Sequence, residues 1–110
     1  QGKRDPDLME IYEQNGRLKI DLPAVLDLPV AAELRDLLVD AAARDTAADL
    51  VLNCTCVERI STAAIQVILA GAAALRLAAR GLELEAPADA VAGAFRALGL
   101  GSNLDQLLDT

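Results

Sequence analysis

The sequence predicts an α/β domain of two layers. It has a mixed four-stranded sheet, order 1-2-3-4 with strand 1 antiparallel, and helices on one face. Three observations lead there. The chain opens on a hairpin pattern and then alternates helix and strand patterns, giving the order β-β-α-β-α-β-α-α. The first, second and last strands each carry one apolar and one charged face, whereas sheets covered on both sides read as continuous apolar runs. Right-handed crossovers leave the connecting helices on one side when strands are added in one direction.

The hairpin is "LMEIYEQNGRLKIDL", in which Asn15-Gly16 is a type I′ turn signal. A two-residue loop there pairs Gln14 with Arg17, Ile11 with Ile20 and Met9 with Leu22. One face then holds Met9, Ile11, Leu18, Ile20 and Leu22, with Glu13 its only charge. Leu8, Glu10, Tyr12, Lys19 and Asp21 fall on the other. "PAVLDLP" breaks the chain, Asp27 stands where a cap belongs, and Pro29 is tolerated in a first helical turn. Val30, Leu34, Leu37, Leu38 and Ala41 then recur at helical spacing, predicting a helix over about 29–44. "ADLVLNCT" reads as a central strand. The next helix is expected over about 62–80, with Arg76 and Arg80 at its negative end and Gly81 as its stop. "LELEA" alternates as a last strand, Leu82, Leu84 and Ala86 against Glu83 and Glu85. Both glutamates are expected to face water. A third helix over about 88–98 presents Val91, Phe95 and Leu98 and stops at Gly99. Ser102 and Asp105 open a short last helix at capping-box-like spacing.

At 110 residues the chain is one domain, long enough to bury a core without disulfides or metals. Residues 1–7 are expected to be a tail, disordered or left by cloning, and residues 8–110 the domain. Net charge is −7, and Tyr12 and Phe95 are the only aromatic residues. That composition argues against nucleic acid, which needs clustered Lys and Arg or stacking platforms. It also argues against an anionic membrane surface. The longest uncharged run, Ile60 to Leu75, is shorter than a membrane span. No signal peptide is visible, and a cytoplasmic location is expected. Cys54 and Cys56 are read as two small buried apolar residues in a reducing compartment, since a Cα separation of about 6.7 Å is at the far limit of a disulfide. With no histidine and no Gly-rich phosphate loop, neither a usual zinc site, nor a His-activated nucleophile, nor a doubly wound nucleotide fold is indicated. No catalytic residue, metal or cofactor is expected.

The stretch "DLVLNCTCVERISTAAIQVILAG", followed by "ARGLEL" and "FRALGL", resembles the STAS domain, the module of bacterial anti-sigma factor antagonists. The resemblance runs from the hairpin to Leu100. It rests on a hydrophobic strand ending in a polar residue, then "V-x-x-I", two hydroxyls and "A-A-I" opening an uncharged helix. It implies a two-layer STAS-like fold and a non-enzymatic, protein-binding module. Such modules often dock a serine/threonine kinase that is also an anti-sigma factor, and phosphorylation at the start of the helix after the third strand releases the partner. Other members serve in chemotaxis and two-component clusters, in stress-signalling assemblies, or as small subunits of lipid transporters.

Matching the family pattern of Asp, two hydroxyls, Gly and Leu to this chain puts Ser61 on the Asp, Thr62 on the first hydroxyl and Ala63 on the second. In single-domain antagonists the second hydroxyl takes the phosphate, which Ala63 cannot; in the stress-assembly branch the first hydroxyl is used, and the resemblance to that branch implies Thr62 as the phosphoacceptor candidate. Asn53 stands where many members have Asp. Asn53, Ser61 and Ala63 are thus the departures from the pattern. Ser61 is read as the helix cap. The partner is expected on Thr62, Ala63, Ala64, Gln66 and Val67, at the start of a helix that is uncharged up to Leu75. Neighbouring helices are expected to bury the remainder of that helix. A signalling adaptor for a kinase-like partner is the first reading, and a constitutive subunit on the ATPase of a lipid transporter is the alternative. A small-ligand sensor, the third class, needs an apolar cavity. Oligomeric state is left open.

Overall fold

Asn15 and Gly16 both take positive φ, 55° and 78°, the pair of left-handed residues that a type I′ turn needs. That turn joins β1 (Ile11–Gln14) to β2 (Arg17–Asp21) and sets the register Ile11 to Ile20 and Gln14 to Arg17, as the sequence implies. The computed structural model describes residues 9–85 and 89–108. The expected tail 1–7, Leu8, Ala86 and the expected helix start at 88 lie outside them.

After β2 the described chain forms β3 (Val25–Leu26), α1 (Leu28–Ala43), β4 (Leu50–Asn53), β5 (Arg59–Ile60) and α2 (Thr62–Leu77). β6 (Leu82–Glu85), α3 (Asp89–Ala97) and α4 (Gly101–Leu107) complete it. The main sheet has the order β1-β2-β4-β6, with β1 antiparallel and the other three parallel. This is the expected 1-2-3-4 arrangement. Register aligns Leu18, Leu50 and Leu82 in one row and Ile20, Leu52 and Leu84 in another. All six are buried in the core with Leu34, Leu38, Ile65, Ile68, Val91 and Phe95 from the helices.

The helix-free face carries the rows Lys19, Val51, Glu83 and Asp21, Asn53, Glu85. Its charges are paired across strands, Arg17 with Glu83 at 3.1 Å and Lys19 with Glu85 at 2.9 Å. Glu83 and Glu85 are half-buried there, each against a cation, so facing water describes them only in part.

The β3–β5 pair is a separate two-stranded parallel sheet that the sequence reading passes over as a break. Two residues per strand are too few to show a period of two. Asp27 caps α1 as expected, its carboxylate accepting from the Val30 N–H at 3.2 Å. α1 and α2 lie against each other closely: a Cβ on Gly71 would stand 2.7 Å from Leu38 Cδ1. A side chain at Gly71 would require the end of the Leu38 side chain to move.

Two expected helix boundaries and two expected exposures are corrected. α2 ends at Leu77, and its left-handed residue is Ala79 (φ 58°), not Gly81. The Arg80 N–H bonds Leu75 O and the Ala79 N–H bonds Arg76 O, the paired closure of a Schellman end. Arg80, expected beside Arg76 as surface charge on the end of α2, is instead buried. Its guanidinium donates to Ala41 O (2.9 Å) and Ala42 O (3.4 Å) at the end of α1, and to Ala48 O (2.8 Å). It therefore closes the negative end of α1. In the last helix Ser102 lies inside α4, whose N-cap is Leu100 with no side-chain cap. Leu98, expected in the core with Val91 and Phe95, is exposed.

Candidate functional site

β5 delivers the chain to the site. The Glu58 and Arg59 N–H groups both donate to Ala24 O, and the Ser61 N–H donates to Leu26 O at 2.9 Å. Leu26 pairs with Ile60, so the next residue on each side, Asp27 and Ser61, is the N-cap of a helix. Two helix N-termini are thus set next to each other by a two-residue parallel ladder. Ser61 has extended backbone (φ −82°, ψ 159°), and its Oγ accepts from the Ala64 N–H at 3.1 Å. The cap reading of Ser61 holds. Ser61→Ala is expected to cost about 1 kcal/mol in chemical denaturation, because that N–H loses its acceptor.

Beyond the cap, Thr62 and Gln66 are exposed, and Ala63 and Val67 are half-buried. Ala64 is fully buried and points into the core, so it leaves the expected contact set. Its position three residues after the cap puts it on the sheet side of the helix. Sequence reasoning missed the groove beside this turn. It is an open depression of about 220 Å³ lined by Val25, Leu26, Asp27, Arg59, Ile60 and Ser61. Val25 is 39% exposed. The only available signal was Asp27 followed by Pro29, which marks a helix start but not its neighbour.

The rest of α2 also departs from expectation. Ala70, Ala73, Ala74 and Leu77 are exposed, Leu77 by 92%, so neighbouring helices do not bury the back of the helix. A second groove of about 100 Å³ runs between α1 and α2, lined by Leu38, Val39, Val67, Ala70, Gly71 and Ala74, with Arg35. Both grooves are smaller than the ~300–1,000 Å³ of small-molecule pockets, so neither favours the ligand-sensor reading.

Asn53 has a local physical reason. It sits in register between Asp21 and Glu85, where an aspartate would complete a row of three carboxylates. As an amide it donates to Asp21 Oδ1 at 3.0 Å, and that same oxygen accepts from Tyr12 OH at 2.8 Å. Asn53 Oδ1 in turn accepts from the Thr55 N–H (3.1 Å) and hydroxyl (2.6 Å), fixing the turn that ends β4. Because the strand stops at Asn53, Cys54 and Cys56 do not share a strand face. Cys54 is buried, and Cys56 is exposed in the turn, correcting the expectation that both are buried.

Burial pushes the Cys54 thiol up to about 12, with the Glu85 charge adding to the effect. One equivalent of a thiol reagent is therefore expected to react with the native protein at pH 8, at Cys56, and two after unfolding. The unfolded thiol ionises first, near 9.0, so the Cys54 contribution to stability is intact below that pH. It declines as pH rises from about 9 toward about 12. A Cys54→Ala variant should lack that part of the alkaline decline.

Among the described residues no helix is long and apolar enough to cross a membrane. A search of curated proteins finds no match. A solved structure of a Thermotoga maritima protein, described as a candidate anti-sigma factor antagonist, is similar in fold at 15% sequence identity and a TM-score of 0.74. The match covers 96% of this chain and 89% of that one. The family model described as "Mlab, STAS domain" matches residues 9–109, nearly the whole length over which the sheet, the helices and the α2 turn have been described. The chain belongs to the STAS domain family.

Proposed function

We propose that this chain is a non-catalytic signalling adaptor that docks a kinase-like protein through the first turn of α2. The observation that carries this reading is the surface itself. Thr62 and Gln66 are exposed at the start of a helix with no charge before Arg76, beside a groove with an apolar floor. Thr62, Ala63, Gln66 and Val67 form the contact surface, and Asp27 and Arg59 on the groove add one charge of each sign. The likeness to a candidate anti-sigma factor antagonist supports a protein partner. We place the protein in the cytoplasm, which suits two free thiols.

The test is affinity purification of the tagged chain from its own cell, quantified by mass spectrometry. A kinase-like protein is expected on the wild type and on Lys19→Ala, and lost by more than about tenfold from Ala63→Asp and Gln66→Lys. A charge desolvated without a partner costs more than ~1.4 kcal/mol, about a factor of ten in affinity. Cooperative thermal unfolding of each variant separates lost docking from lost fold. Retention by the α2 variants together with loss from Lys19→Ala would place the site on the sheet face instead.

A second reading, a constitutive subunit on a transporter ATPase, is favoured by Ala63, which has no hydroxyl to modify. Thr62→Glu distinguishes the two. As a switch, Thr62 phosphate adds a charge of about −1.5 to −2 to an uncharged patch, tolerated by the helix end but not by the partner. Phosphothreonine in the native protein and release by Thr62→Glu support the switch. A nucleotide-binding transporter subunit that stays bound to Thr62→Glu supports the constitutive reading.

A further inference from the structure

We draw no further inference here: the strongest candidate, the apolar groove between α1 and α2 floored by Leu38, Val67, Gly71 and Ala74, is an unpartnered face, and nothing in the structure shows what covers it.

Discussion

Arg80→Ala is expected to destabilise the domain by about 3–5 kcal/mol, more than loss of any other single charge. Arg80 is 5% exposed, and its guanidinium spans the end of α1 and the segment leading to β4. Removing it takes a donor from the carbonyls of Ala41, Ala42 and Ala48; the Ala41 contact is buried, the other two are partly buried, and Ala41 O keeps the Arg44 N–H at 3.3 Å. Each hydrogen bond from a charged donor contributes about 1.5–3 kcal/mol, and entry of water at the partly buried carbonyls offsets part of the sum. Arg80→Lys should recover only a fraction, because an ammonium lacks the planar fork that reaches three carbonyls at once. Arg76→Ala, on the same helix end but exposed, should stay within about 0.5 kcal/mol. Urea unfolding of the three variants measures this. Equal effects of Arg76→Ala and Arg80→Ala would show that Arg80 is ordinary surface charge.

Ile20→Ala is expected to cost about 2–5 kcal/mol. Ile20 is fully buried at the centre of the β1–β2–β4 register, opposite Ile11 on one side and Leu52 on the other. Truncation removes transfer free energy and leaves a cavity that two hydrogen-bonded strands cannot collapse. Glu85→Ala on the helix-free face should cost no more than about 1 kcal/mol, since its pair with Lys19 is partly exposed. Comparable losses in chemical denaturation would mean that both faces of the sheet are covered, against the two-layer architecture.

The elements that were legible in the sequence are those whose signal is local. Asn15-Gly16 closes the hairpin in the register that puts Ile11, Leu18, Ile20 and Leu22 on one face, so the pairing of Ile11 with Ile20 follows from the turn and a period of two. One-sided alternation in "LELE" and "RLKID" placed the helices on one face, because a charged side chain cannot be buried without a partner. Ser61 was readable as a cap because its hydrogen bond spans three residues of the same segment.

What only the tertiary structure decided depends on residues far apart in the chain. The β3–β5 ladder joins Leu26 to Ile60, and no local pattern shows that Asp27 would come to stand beside Ser61. Arg80 reads as the basic end of its own helix. It serves α1 instead, because its backbone turns through the left-handed Ala79 and aims the side chain at carbonyls 38 and 39 residues away. The exposure of Ala70 and Ala74, expected to lie under neighbouring helices, was likewise not legible, since alanine is compatible with core and surface alike. Periodicity assigns a face to each side chain, but packing determines which neighbour, or none, covers it.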